Sequence, residues 1–191
     1  MQNKFQNKYR IPSTRLQTWD YGTNGAYFIT ICTQNREHFF GTIQNDNMQL
    51  SEIGKLAEQY WMEIPNHFSF IELGNFVVMP NHVHGILIIN KIDVPTLSIT
   101  KSVETRHCLV STTEKNTTLG QTRFQNQGKN TISSIVGSYK SIVTKMARHI
   151  NTNFGWQSRF HDHIIRNSKS FDTIQNYIFE NPMNWNKDKF R

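Results

Sequence analysis

The stretch from Phe70 to Ile89, FIELGNFVVMPNHVHGILII, decides the fold. It contains two runs rich in apolar and β-branched residues, at Phe70–Met79 and His84–Ile89. Pro80 and Asn81 lie between the runs, and both are residues that favour turns. The pattern predicts two neighbouring strands that pair antiparallel across a short turn.

The residues before this stretch predict a strand, a hairpin and a helix. The run Tyr27–Thr33, YFITICT, has apolar residues on both faces, which is typical of a central, covered strand. A short hairpin is expected at Phe39–Leu50, around the turn residues 45–47. Ser51 is the predicted N-cap of a first helix, which Pro65 is expected to end. Apolar residues recur there at helical spacing, at Ile53, Leu56, Ala57, Tyr60 and Ile64.

The residues after the stretch predict a helix, a strand and a last helix. Helical periodicity returns at Thr131. Gly137 within this helix costs about 1 kcal/mol relative to Ala, which indicates close approach by a strand or a ligand. A strand at Trp156–Ile165 precedes a third helix, which starts at about Ser168 and ends before Pro182. The order β, hairpin, α, β, β, α, β, α predicts an α+β domain, and we expect a ferredoxin-like βαββαβ sheet with helices packed on it.

The length of 191 residues fits a single domain with two unusual segments. Residues 1–25 mix basic residues, including Arg10 and Arg15, with Pro and Gly and show no period. This composition predicts a basic arm that follows a phosphate backbone. Residues 91–129 are rich in Thr, Ser, Asn and Gln and predict a mobile polar insertion.

The apolar residues are spread in a way that predicts neither a membrane span nor a secretory signal. No run of about 18 apolar residues occurs, and no apolar stretch follows the basic residues at the start. A cytoplasmic protein is therefore expected. Cys32 and Cys108 are too few for a disulfide framework or a CxxC metal site, so free thiols are expected.

The charge balance favours a polyanionic partner. Lys and Arg outnumber Asp and Glu by 21 to 14, and the pI is about 9.5. Between Tyr139 and Ser170, six basic residues and one acidic residue are interleaved with aromatic residues. Cations neutralise phosphates and aromatic rings stack on unpaired bases, so the pattern is typical of a single-strand binder. The alternative is a solvated basic surface beside core aromatics. On the second helix the candidate DNA contacts are Lys140, Lys145 and Arg148.

Two histidines stand two residues apart at the start of an apolar strand. Because strand side chains alternate between faces, His82 and His84 project the same way, about 6.6 Å apart along the chain. This spacing allows both imidazoles to bind one cation. The alternative is a pair of surface or hydrogen-bonded histidines.

The last helix contains a tyrosine and an asparagine four residues apart. Tyr177 and Asn181 therefore share one helix face, beside the apolar stripe that docks the helix on the sheet. Such a pair suits a reaction in which the phenol attacks phosphorus while the amide oxygen completes a metal site. The alternative is a boundary aromatic residue and an asparagine that ends the helix.

Three segments together resemble the REP-associated tyrosine transposases, a family of HUH transposases that act on single-stranded DNA. The segments are VVMPNHVHGILI, GSYKSIVTK and WQSRFHDHIIRNSKSFDTIQNYIFENP. The resemblance extends from the first strand to the carboxyl terminus, except for residues 91–129. It assigns the paired metal ligands to His82 and His84, the nucleophile to Tyr177 and the third metal ligand to Asn181.

The resemblance implies a two-step transesterification on single-stranded or hairpin DNA. Tyr177 takes the 5′ phosphate and leaves a 3′ hydroxyl, and another 3′ end later resolves the phosphotyrosine ester without ATP. Two imidazoles and an amide admit Mg²⁺ or Mn²⁺, which would polarise the scissile phosphate. A homodimer, in which Tyr177 of one chain meets the histidines of the other, is one arrangement that this chemistry allows. His163 and Arg166 are expected to orient the site or bind phosphate, or else to be a packing histidine and a surface arginine.

Two other functions fit parts of the same pattern. A ferredoxin-like sheet with basic and aromatic residues can hold single-stranded nucleic acid without cutting it, and such a module does not require Tyr177. A metal-dependent nuclease could instead use His82 and His84 to activate water, in which case no covalent protein–DNA adduct forms.

Overall fold

The structure is a computed structural model that describes residues 18–92 and 128–190, together with the backbone of residues 4–5 and 8–9. The strands are β1 (Lys4–Phe5), β2 (Lys8–Tyr9), β3 (Gly25–Cys32), β4 (Gly41–Gln44), β5 (Asn47–Leu50), β6 (Ile71–Met79), β7 (His82–Ile89) and β8 (His161–Ile165). The helices are α1 (Glu52–Met62), α2 (Ile64–His67), α3 (Ile132–Ile150) and α4 (Ser168–Glu180), with 3-10 turns at Gln34–Arg36 and Trp185–Lys187.

The centre of the fold is a four-stranded antiparallel sheet in the order β6-β7-β3-β8. Helix α1 lies in the connection between β3 and β6, and α3 lies in the connection between β7 and β8. The first and third strands of the βαββαβ unit therefore lie at the centre of the sheet and the second and fourth at its edges. The predicted α+β, ferredoxin-like fold is confirmed, and so is the hairpin, which forms the separate ladder β4–β5.

Helices cover both faces of the sheet. On one face, the largest core cluster joins α1 and α3 to the sheet through residues such as Trp61, Tyr139 and Ile29, all with at most 2% of their surface exposed. On the other face, α4 packs Ile178 against Ile86 and Ile165. Helices α1, α3 and α4 begin at side-chain caps, because Ser51, Thr131 and Asn167 accept hydrogen bonds from backbone N–H groups in the first turn. The predicted cap at Ser51 is therefore confirmed.

Three local predictions are corrected by the structure. Strand β7 begins at His82 and not at His84, because His82 already pairs with Met79 across the two-residue turn. Strand β8 begins at His161, because the Trp156 indole instead donates to the Lys140 carbonyl (3.2 Å) and its backbone makes an isolated bridge. Helix α1 ends at Met62 and not at Pro65, which lies instead at the start of the short helix α2, where its missing N–H costs nothing.

No strand that the structure describes approaches Gly137 closely, and the expected approach of a ligand stays a prediction. A Cβ built at this position would meet no atom of the described residues within 4 Å, so the glycine faces open space on α3. In contrast, a Cβ at Gly85 would lie 2.8 Å from Cε2 of the buried Trp61. Within the sheet, Gly85 is thus the residue at which the packing of α1 on β7 requires glycine.

Parts of the predicted arm and insertion lie outside the described residues. This applies to Arg10 and Arg15 and to residues 93–127, so the predictions for them stay predictions. Cys32 is a buried free thiol, as expected. Among the helices that the structure describes, none is long and apolar enough to cross a membrane.

Candidate active site

The two histidines lie side by side on the sheet face that α4 covers. Residues 82 and 84 of β7 point to the same face because strand side chains alternate. The ring centroids of His82 and His84 are 4.4 Å apart, and both residues are completely buried. The predicted convergence of the imidazoles is therefore present, and the surface-histidine alternative does not hold.

A hydrogen bond at Nδ1 orients each imidazole. His82 Nδ1 lies 2.8 Å from the side-chain oxygen of Asn81, and an amide oxygen only accepts, so the histidine donates here. His84 Nδ1 lies 2.9 Å from the hydroxyl of Thr30, the residue that pairs with it on β3. The proton that His82 donates from Nδ1 leaves the lone pair of its Nε2 available to a metal ion. His84 has hydroxyl partners at both ring nitrogens, Thr30 at Nδ1 and Tyr177 at Nε2, and these are compatible with either tautomer.

Burial keeps both imidazoles neutral. It lowers the pKa of His82 to about 4, although the nearby Asp188 carboxylate raises it. Burial also lowers the pKa of His84 well below its usual value, and the neighbouring His82, Lys189 and His161 lower it further. At neutral pH both rings are therefore uncharged, with a proton on one nitrogen only, which is the form that binds metal ions.

The phenol of Tyr177 reaches this pair from α4 of the same chain. Its oxygen lies 3.2 Å from Nε2 of His84, and its ring contacts the edge of Phe28. The residue as a whole remains 40% exposed. Burial and the Asp188 carboxylate raise the pKa of the phenol, whereas a hydrogen bond with Asn181 lowers it.

Asn181 presents a buried amide oxygen at the end of α4. It is the C-cap residue of the helix, which agrees with the alternative prediction of an asparagine that ends the helix. Only 2% of its surface is exposed. Its Oδ1 is buried without a hydrogen-bond partner. A buried amide oxygen left unsatisfied costs free energy, and a cation in the site would remove that cost.

An acidic residue that the sequence did not indicate completes the cluster. Asp188 follows the 3-10 turn at Trp185–Lys187, and its Oδ2 lies 3.7 Å from Nε2 of His82, beyond hydrogen-bond distance. Both atoms are buried without a hydrogen-bond partner. One donor atom each from His82, His84 and Asp188 lies within 4.8 Å of the others. Two imidazole nitrogens, a carboxylate and a nearby amide oxygen form a donor set that fits a divalent metal ion.

The remaining predicted DNA contacts lie apart from this cluster. His163 is exposed on β8, on the same sheet face as the histidine pair, and Arg166 is exposed directly after that strand. Lys140 and Arg148 lie on α3, on the other side of the sheet, where they donate to the carbonyls of residues 157 and 154. Burial lowers the pKa of Lys140. Lys145 is exposed on the same helix.

A relative of the chain is a Haemophilus influenzae protein described as uncharacterized. The two proteins are 38% identical over 178 residues, which span 93% of this chain and 91% of the relative. The chain belongs to the same family as that Haemophilus protein. No family model matches the sequence.

The fold also matches a solved structure. It superposes with a TM-score of 0.56 on a REP-associated tyrosine transposase bound to a REP hairpin. The match covers 93% of this chain and 77% of that protein, at 18% sequence identity. At this identity the similarity establishes a shared fold, and function is inferred from the site.

Proposed function

We propose that this protein is a REP-associated tyrosine transposase-like enzyme that nicks and joins single-stranded or hairpin DNA. The observation that carries the proposal is the position of the Tyr177 oxygen, 3.2 Å from Nε2 of a buried, neutral histidine pair. A phenol and two imidazoles from distant parts of one chain meet at a single place. The solved structure with a similar fold is bound to a hairpin, which supports hairpin DNA as the partner.

In this mechanism the Tyr177 oxygen attacks the scissile phosphorus. A bond forms between the phenolic oxygen and phosphorus, the bond from phosphorus to the 3′ oxygen breaks, and the product strand ends in a 3′ hydroxyl. In the second step a 3′ hydroxyl attacks the phosphotyrosine and releases Tyr177. One ester replaces another in each step, so no nucleotide cofactor is consumed.

The proposed ligands of a divalent ion are His82, His84 and Asn181, and Asp188 adds a carboxylate. A bound Mg²⁺ or Mn²⁺ would supply the positive charge that polarises the phosphate and stabilises its developing charge. Such charge is needed because burial and Asp188 both make the Tyr177 phenol harder to ionise. The chain itself orients the attack, since the ring contacts with Phe28 and His84 and the hydrogen bond to His84 Nε2 hold the phenol beside the histidines.

The active site is proposed to be complete within one chain. The imidazoles on β7 and the phenol on α4 already meet in a single copy, so a homodimer is not required for chemistry. The proposed DNA contacts outside the site are Arg10, Arg15, Lys140, Lys145, Arg148, His163 and Arg166.

The test is a cleavage assay on labelled single strands that carry a hairpin, with Mn²⁺ or Mg²⁺, resolved on a denaturing gel. We expect a covalent protein–DNA species that is lost in Tyr177→Phe and retained in the control Tyr60→Phe, whose ring lies on α1 on the other side of the sheet. Cleavage that survives Tyr177→Phe would establish a hydrolase that uses activated water. Binding without cleavage by the unchanged protein would establish a passive single-strand binder.

Two further variants test the metal and the cis arrangement. His82→Ala with His84→Ala should abolish cleavage and leave most of the DNA binding, whereas full cleavage would remove the metal role. A mixture of this double variant with Tyr177→Phe should also be inactive. Restored cleavage would show that one chain supplies the phenol to the histidines of another.

A further inference from the structure

The sheet face with the histidine pair continues beyond it to an open edge. In the register of the sheet, Thr30 of β3 pairs with His84 on one side and with His161 of β8 on the other. Phe28 pairs in the same way with His163. The side chains of His84, Thr30 and His161 therefore form a row on one face, in which His161 is exposed. Because β3 lies between β7 and β8, two inter-strand spacings separate His161 from His84, a distance of roughly 10 Å.

A groove lies along the outer edge of β8, where this row ends. It has a volume of about 590 Å³, the size of a pocket that holds a small ligand. Its lining is mostly polar and includes Tyr21, His161, His163, Arg166, Asn167 and Ser170. The acidic residue Asp162 also lines it, beside the guanidinium of Arg166. We call this the β8 groove.

We propose that the β8 groove binds the DNA single strand next to the phosphate that Tyr177 attacks. This inference rests on the proposed function and adds the route of the substrate across the protein. The groove runs around the edge of β8 and reaches the sheet face that carries the active site through His161 and His163. Stacked nucleotides rise about 3.4 Å each, so a few nucleotides span the distance to His84.

The chemistry of the lining matches this occupant. Arg166 offers a planar guanidinium to a phosphate, and Ser170 and Asn167 offer hydrogen-bond donors. The rings of His163 and Tyr21 offer flat faces on which unpaired bases stack. In this proposal the single strand that flanks a hairpin enters the groove.

The test measures binding without cutting. In a Tyr177→Phe background with EDTA, fluorescence anisotropy gives the Kd of a labelled single strand over a range of salt concentrations. The double variant His163→Ala with Arg166→Ala should raise the Kd about ten-fold and reduce the salt slope by about 0.7 for each phosphate that the variant no longer neutralises. The matched control is Lys55→Ala with His67→Ala, which removes the same residue classes from exposed positions of α1 and α2. It should leave both quantities unchanged.

A second measurement locates the groove relative to the cut. Shortening the oligonucleotide on one side of the cleavage site should weaken binding by the parent protein and leave binding by the groove variant unchanged. If the groove variant matches the control in Kd, salt slope and response to shortening, the groove inference is overturned.

That failure is distinguishable from failure of the proposed function. If the protein forms the covalent adduct in Mn²⁺ and the groove variant binds DNA as well as the control variant does, the proposed function stands and only the groove inference fails. If the protein forms no adduct but the groove variant binds single strands more weakly than the control variant, the proposed cutting reaction fails and the groove inference stands.

Discussion

Acidification should destabilise the metal-free protein through its buried histidines. The pKa of His82 falls from 6.5 to about 4 on folding, chiefly because the ring is buried, and His84 shifts in the same direction. Between these pH values the unfolded chain takes up a proton that the folded protein excludes. Stability is therefore complete above pH 6.5 and is lost as the pH falls towards 4.

The size of the effect follows from the shift. From 6.5 to about 4 is about 2.5 pH units, and each unit corresponds to about 1.4 kcal/mol. His82 alone should thus reduce the free energy of unfolding by about 3 kcal/mol, and His84 adds a loss of the same sign. Losses of this size are a large part of the stability of a single domain.

Urea unfolding followed by tryptophan fluorescence, in EDTA and at several pH values between about 7.5 and about 4.5, measures this dependence. The variant His82→Gln with His84→Gln should show a much flatter curve. The control is His67→Gln with His149→Gln, which removes two exposed histidines and should keep the steep curve. A wild-type stability that does not fall with pH, or that falls equally in the double variant, would refute burial as the cause.

Three substitutions test the packing and the second layer of the site. Gly85→Ala should lower the free energy of unfolding by about 1–3 kcal/mol in urea, because its Cβ would collide with the Trp61 ring; unchanged stability would contradict the packing. Gly137 faces open space in a helix, so Gly137→Ala should raise the free energy of unfolding by up to about 1 kcal/mol. A decrease would show that the added methyl group meets a neighbour there. Thr30→Val removes the hydroxyl at His84 Nδ1 and should weaken Mn²⁺ binding, measured by calorimetry, by about 10–100-fold. Thr30→Ser keeps the hydroxyl and should keep the Mn²⁺ affinity of the unchanged protein. An unchanged Mn²⁺ affinity in Thr30→Val would show that this hydroxyl does not support metal binding by His84.

The parts of the site that lie on regular elements could be predicted from local spacing. Strand alternation places His82 and His84 on one face, and the four-residue helical spacing places Tyr177 beside Asn181. Both statements depend only on backbone geometry. That the two pairs meet follows from the docking of α4 on the β7 face, which the sequence indicated through its apolar stripe and the family resemblance.

Asp188 could not be predicted in the same way. It lies beyond the last helix, in a segment without hydrophobic period, between Lys187 and Lys189, where an acidic residue reads as ordinary surface charge. Its position depends on the path of the chain after Pro182, which is fixed by tertiary contacts such as the bond from the Asn81 amide to the Phe190 carbonyl (2.8 Å). The described residues place no strand against Gly137, because a local cost in helix propensity says nothing about what lies opposite the residue.

Unsatisfied polar atoms at the site support the proposed cation independently of the resemblance. Five buried side-chain atoms in the described part of the chain have no hydrogen-bond partner, and three of them, His82 Nε2, Asn181 Oδ1 and Asp188 Oδ2, belong to the proposed metal site. All three can donate an electron pair, since the His82 proton is fixed on Nδ1 by Asn81. Such atoms cannot satisfy one another, and each costs about 1–3 kcal/mol when left unpaired. A proton on His82 would relieve the contact with Asp188, but burial resists it at neutral pH. A divalent cation at the His82, His84 and Asp188 cluster would satisfy His82 Nε2 and Asp188 Oδ2 together, so added Mn²⁺ should raise the free energy of unfolding.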